Sequence, residues 1–346
     1  MSDTYTWARM LDDFRALGGT ADNVEQRQGA VGNGLFPMDA TLPVTIRVPD
    51  NLLIDDEMFV LVDGALVISP VADAPPAVRE FYAMYQKHFS WGADGRAHVE
   101  AFESGLKGLP EPLRLRLRQL GLLNLAVRHE GAWDDVLRRR FLASRRINYK
   151  KRKVIMPIIE LINHAPRSPG YQVKDGIGFQ GTFADEVTVN YSATNDSLLR
   201  FLNYGFANQE PFAYSLPVTL KQNDDLTVVV GLNPDSMQPV NRLPTPKVEV
   251  EGHRRKISHL RLGVERAPRM PRTLLRNALP DVPVAVADEI FDRVRGTNIL
   301  VLAELLELAD GADGPVGREF RRALLFQLKA LSYCFGVRPD GATPAA

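Results

Sequence analysis

The order of strands, helices, strands and helices along this 346-residue chain predicts an α+β protein. Three observations carry the expectation. Short apolar runs with turn residues between them fill Val24 to Ile68, and apolar residues at three- and four-residue spacing run through 78–147. Amphipathic helical text then follows a proline-rich joint at 267–271. A regular alternation of single strands and helices is excluded by the same order. The length suits roughly two domains of about 150 residues, enough to bury a core without staples. Hydrophobic residues at 45% and charged residues at 24% are those of an ordinary globular chain rather than a disordered one.

Taken in order, Trp7, Met10, Leu11 and Phe14 share one helical face, and Gly18-Gly19 stops that helix. GLFP, VTIRVP and FVLVDGALVI read as strands, with Asp63-Gly64 as a hairpin turn. ADAPPAV at 72–78 ends them and opens a helical insert, taken as 71–140. VIMPI, IGFQGTF and EVTVNY return to strand character, SLLRFLNY is a helix, and LPVTL and LTVVVGL are again strand-like. Joints at 233–247 and 267–271 lead into ADEIFDRVR, ILVLAELLELA and REFRRALLFQLKALSY, all amphipathic. The expected division is 1–70, 71–140, 141–210 and 211–346.

Composition excludes several functions. Lys plus Arg at 42 against Asp plus Glu at 42 leaves no net field to recruit nucleic acid or an anionic membrane. Cys334 alone can form neither an internal disulfide nor a thiolate metal cluster, so a reducing compartment is expected. Without a leader-like start or a run of about 18 apolar residues, the expectation is a soluble, cytoplasmic protein. The histidines at 88, 98, 129, 164, 253 and 259 show no metal-ligand spacing, and no metal is expected. Phosphate-loop and nucleophile-elbow signatures are absent, and Gly32-Asn33-Gly34 lacks the completion of a dinucleotide fingerprint.

Two stretches could carry chemistry. Arg138 to Lys153 holds nine basic residues and no acid, which suits either a solvated face or a groove for an acidic partner. In 154–209, Asn163-His164 follows an apolar run, where both side chains would be buried and need partners. Tyr191 ends a strand and Tyr204 ends the following helix; each could be packing with a hydroxyl handle.

Together these segments resemble the SET-domain methyltransferases, in the branch that includes the plant Rubisco large-subunit lysine methyltransferase and the animal actin-histidine methyltransferase. TWARML is similar to the family's opening F-x-x-W-L helix, and VEQRQGAVGNGLFP with VTIRVPDNLLID to its G-x-G-L-x-A segment and following V-P strand. ASRRIN and VIMPIIELINHA resemble S-R-x-F and P-M-A-D-L-I-N-H-S; GYQVKDG, DEVTVNY and LLRFLNYGF resemble Y-E-V-K-G, G-E-x-V-x-I-x-Y and A-E-L-x-x-x-Y-G-F.

The resemblance implies a β-rich SET fold split by the helical insert, with a helical C-terminal segment that docks substrate. It implies S-adenosyl-L-methionine as cofactor, bound by Gly32, Asn33, Gly34, Leu35, Arg145, Asn163 and His164. Glu160 takes the acidic position near the substrate amine, Tyr191 that of the catalytic tyrosine, and Tyr171 and Tyr204 those of the substrate-channel walls. The chain departs from the family at Ile147, where lysine-specific relatives carry phenylalanine, and at Ala165, Ala184, Ser197 and Leu199. Two residues are also missing between Ser144 and Pro157 relative to the plant enzyme. These departures bear on the substrate more than on the cofactor. The implied activity is N-methylation of a protein side chain, lysine first and histidine second. A small amine or peptide as substrate, or a binding module without turnover, are the competing expectations; neither a specific nucleic acid nor a membrane is an expected partner.

Overall fold

The computed structural model describes residues 5–29, 32–123, 128–191, 195–231 and 244–332. Cys334, Ala30-Val31 and most of the joint at 233–247 lie outside them. The chain forms two compact units, Met1–Ser104 with Ala126–Tyr191 and Gly105–Leu125 with Ser192–Ala346. The units therefore do not part at the expected boundaries of 70, 140 and 210.

Helix α1 (Trp7–Ala16) is capped by the Thr6 hydroxyl, which accepts from Arg9 N–H, and it buries Met10, Leu11 and Phe14. Strands β1 (Thr20–Asp22), β2 (Val24–Gly29), β3 (Gly32–Pro37), β4 (Val44–Val48), β5 (Ile54–Asp55), β6 (Phe59–Val62) and β7 (Ala65–Ile68) follow. Between β6 and β7, Asp63 and Gly64 both take positive φ (50° and 78°), the backbone of a two-residue hairpin turn whose twist matches its strands.

The helical stretch contains α2 (Pro76–Phe89), a π turn at Trp91–Gly95, α3 (Arg96–Lys107), α4 (Glu111–Gln119) and α5 (Trp133–Arg145). It contributes to both units. Phe141 of α5 packs edge-on against Trp91 in the first unit, with ring centroids 5.0 Å apart. Leu113 and Leu117 of α4 are buried in the second unit.

The first unit continues with β8 (Arg146–Tyr149), β9 (Arg152–Ile155), β10 (Asn163–His164), β11 (Gln172–Val173), β12 (Ile177–Gly181) and β13 (Thr188–Val189). Its sheets are small: β1-β4-β12-β11, β5-β9-β8, the hairpins β2-β3 and β6-β7, and the parallel pair β10-β13. One apolar cluster joins them, with Phe59, Phe81, Tyr82, Tyr85, Phe141, Ile155, Ile159 and Val189 among its buried members.

The second unit holds α6 (Ser197–Tyr204), β14 (Phe212–Tyr214), β15 (Val218–Asn223), β16 (Leu226–Val230), β17 (Lys247–Glu251), β18 (Arg254–Ser258) and β19 (Arg261–Val264). Helices α7 (Met270–Ala278), α8 (Val284–Leu308) and α9 (Pro315–Ser332) complete it. Phe201 of α6 meets Phe320 of α9 at 5.4 Å between ring centroids, which draws 197–204 into this unit rather than the first.

Strands β17 to β19 and helix α7 are not anticipated from the sequence. KVEVE and RRKIS are too charged to read as strands, and it is ladder pairing in the order β15-β16-β18-β17 that makes them so. Helix α8 is continuous across Gly296, whose cost of about 1 kcal/mol relative to alanine is outweighed by the packing of its buried face.

Candidate functional site

In the first unit, β3 and β10 bring together residues about 130 positions apart. A Cβ on Gly34 would collide with Glu186 Oε1 and stand 2.8 Å from Asn163 Nδ2, so the bare glycine lets these polar groups lie against the strand. Asn163 Nδ2 donates to Glu186 Oε1 at 2.6 Å and to the Asn33 carbonyl at 3.3 Å. Both partners are acceptors, which fixes the amide orientation and turns Oδ1 to other donors. Val187 N–H donates to the Leu35 carbonyl at 2.8 Å, fastening β3 beside the start of β13.

The next residue carries the cluster to Tyr191. His164 Nδ1 accepts from Tyr191 N–H at 3.2 Å, so a neutral His164 ring carries its proton on Nε2. The two rings lie 5.1 Å apart. Tyr191 Oη donates to the Ile162 carbonyl at 2.7 Å. A phenol whose proton is given to a main-chain carbonyl acts toward any third group as an acceptor. Contrary to the expectation of burial, Asn163 and His164 are both half-buried, at a rim rather than within the core.

A second cluster surrounds Glu160. Its side chain has no exposed surface; Oε1 accepts from Tyr85 Oη at 2.9 Å and from Ser90 Oγ at 2.7 Å. Burial raises its pKa above the ordinary carboxylate value, against the opposing pull of the Arg145 guanidinium. Arg145 Nε stands 4.0 Å from Glu160 Oε2, while its guanidinium stacks on Phe141 at 3.9 Å from the ring centroid and its Nη1 donates to Ser144 Oγ at 3.0 Å. Arg145 and Glu160 thus pair with each other, and Glu160 faces the insert helix α2.

The remaining sequence-predicted residues are dispersed. The Asn33 side chain donates to Asp94 of the π turn. Tyr171 precedes β11 and packs, half-buried, on the first unit's core. Tyr204 belongs to the second unit, at the C-terminus of α6, where Gly205 takes the left-handed φ of 85° that ends the helix. The Arg200 guanidinium lies over its ring at 5.4 Å, held by Glu210 at 3.1 Å. Glu186 is the site residue that sequence reasoning missed. The signal was faint: a second acid directly after Asp185.

The basic tract is matched internally. Arg140 pairs with Glu103 at 2.5 Å, Arg146 with Asp56 at 2.6 Å, Lys150 with Asp50 at 2.6 Å and Arg152 with Asp55 at 2.7 Å. Arg138 donates to the Phe59 carbonyl, and Arg139 to those of Arg128 and Glu130. An acidic segment at 50–56 thus answers the run, leaving little field for an acidic groove. Among the described residues, no three His, Cys, Asp or Glu side chains are placed to hold a metal ion. No helix among them is long and apolar enough to cross a membrane.

No protein-family profile and no curated protein matches the chain. Among solved structures, it aligns with the SET domain of LSMT bound to MeLysine and AdoHcy, over 96% of this chain and 94% of that one, at 15% identity and a TM-score of 0.39. It aligns with Rubisco LSMT bound to AdoMet over 93% and 90% of the two chains, at 15% identity and a TM-score of 0.39. Rubisco LSMT bound to sinefungin and monomethyllysine gives 92% and 89%, 15% identity and 0.38. The likeness is distant.

Proposed function

We propose that the chain is a SET-fold methyltransferase that uses S-adenosylmethionine to N-methylate a protein side chain, lysine first and histidine second. The observation that carries the reading is the hydrogen-bonded cluster in which Gly34, Asn163, His164 and Tyr191 meet. These are residues of three separate motifs by which the sequence resembles that family, and no short-range folding requirement would gather them.

The residues fit the cofactor. At Gly32 nothing lies within 4 Å of where a Cβ would stand, which leaves room for a ligand to approach the strand, and Asn163 and His164 stand half-buried nearby with polar side chains. When bound, the cofactor supplies a methyl group on a sulfonium. Gly32, Asn33, Gly34, Leu35, Asn163 and His164 would hold it; Arg145 would act through its pairing with Glu160.

The chain's own task is to present a neutral nucleophile in line with that methyl group. A lysine amine of ordinary pKa about 10.4 is mostly protonated at neutral pH, and an apolar channel disfavours the ammonium by desolvation. Tyr171, half-buried on the first unit's core, is the residue we assign to such a channel. Tyr191, its proton committed to Ile162, presents an acceptor oxygen that can orient an amine N–H or a polarised methyl C–H. Glu160, buried against α2, supports this segment rather than contacting substrate.

The experiment is incubation with methyl-labelled S-adenosylmethionine and a cell lysate, followed by location of the label by mass. Label on lysine supports the reading, label on histidine selects the second substrate, and no label above a protein-free control contradicts the enzyme.

A further inference from the structure

Ile158 is the most constrained backbone position near the site. It takes φ 67° and ψ −54°, and Ile159 N–H donates to the Pro157 carbonyl at 2.8 Å across it. This is a γ-turn of the rare, strained kind, here centred on a β-branched residue for which positive φ is an outlier. Such a turn persists only where its surroundings over-determine it. The chain leaves it through the single 3-10 turn Ile159–Leu161 and arrives at Asn163-His164, so the direction of the turn sets where those two side chains stand.

Helix α2 supplies the constraint. Tyr85 is fully buried, and its hydroxyl makes two bonds at once: it accepts from Ile158 N–H at 3.0 Å and donates to Glu160 Oε1 at 2.9 Å. One oxygen thereby fixes both sides of the turn. Its neighbour Tyr82 is equally buried in the same aromatic cluster, 6.4 Å away between ring centroids. The Tyr82 hydroxyl goes to the carbonyls of Leu52 and Ile155, ahead of the turn.

We propose that Tyr85 is a positioning residue for the cofactor site: it holds the strained turn at Ile158 and thereby sets Asn163-His164 in the binding geometry. The proposal rests on the cofactor reading above. Without the Tyr85 hydroxyl the turn relaxes toward allowed backbone, the competent arrangement becomes a fraction of the population, and apparent affinity falls by that fraction. The helical insert then has a function beyond core: it orders the segment that ends in the Asn163-His164 motif.

The test compares Tyr85→Phe with Tyr82→Phe, which removes the same atom from the same helix and cluster. S-adenosylmethionine affinity is measured by calorimetry, and amide hydrogen exchange is followed in peptides spanning 154–164. Tyr85→Phe is expected to weaken binding by about tenfold and to speed exchange in that segment, and Tyr82→Phe to leave the dissociation constant within about twofold. Equal effects of the two variants on affinity, or unchanged exchange in Tyr85→Phe, would overturn the proposal. In the wild-type protein, an Ile158 amide exchanging as fast as an open loop would overturn it without any variant. Wild-type protein that binds no cofactor while Tyr85→Phe still loosens 154–164 would instead overturn the cofactor reading, and with it the functional half of the proposal.

Discussion

Tyr191→Phe is expected to slow single-turnover methyl transfer by about a hundredfold to a thousandfold while leaving S-adenosylmethionine affinity within about twofold. The substitution removes one oxygen and keeps the ring, so the half-buried packing beside His164 survives. Tyr191 N–H still donates to His164 Nδ1, because that bond is main-chain. What is lost is the hydroxyl that Ile162 orients at 2.7 Å. An oriented polar group that acts mainly in the transition state is worth about 2.7–4 kcal/mol, which is the range of rate loss expected. Were Tyr191 a packing residue only, the change would cost about 1 kcal/mol of stability and leave transfer near normal. Transfer is measured on the substrate found by labelling, with affinity measured in parallel.

The largest expected loss of stability comes from Glu210→Ala. The Arg200 and Glu210 side chains are 0% and 1% exposed, with Nε 3.1 Å from Oε1. The Arg200 guanidinium also rests over Tyr204. Removing the carboxylate leaves a buried positive charge without its counter-charge, at a cost of about 3–5 kcal/mol. For a unit of 150–250 residues, at about 2–4 °C per kcal/mol, the melting transition of the second unit should fall by about 6–20 °C. Replacing both partners with apolar residues of similar volume, Arg200→Met with Glu210→Leu, should cost much less, because no lone charge remains. Equal destabilisation by the single and the double change would show that packing, not charge, is what the pair provides.

Local features of this chain were legible where a short-range cause acts. The helix read in SLLRFLNY is α6, Ser197–Tyr204, begun by the Asp196 cap and ended by Gly205. The Asp63-Gly64 turn was legible because so few residues accept two successive positive φ values. Features with long-range causes were not. That Glu160 would be enclosed depends on Tyr85 and Ser90, which lie 75 and 70 positions earlier and carry no mark of that role. Glu186 became a site residue because Gly34 leaves room for it. The basic run at 138–153 looked like a surface in isolation, and its acidic counterpart at 50–56, two 3-10 turns around the short strand β5, lies nearly a hundred positions away. The division of the helical stretch followed from which apolar face each helix found, something periodicity shows without naming the partner.

The account's central claim is that Gly34, Asn163 and His164 build a cofactor pocket, and calorimetric titration of the protein with S-adenosylmethionine tests it most directly. The wild-type protein should bind one equivalent and melt at a higher temperature with ligand present. Asn163→Ala removes the amide that Glu186 and Asn33 orient, and should weaken binding by about 1–3 kcal/mol, roughly fivefold to more than a hundredfold. No heat and no thermal shift at millimolar ligand, or identical binding by Asn163→Ala, would contradict it.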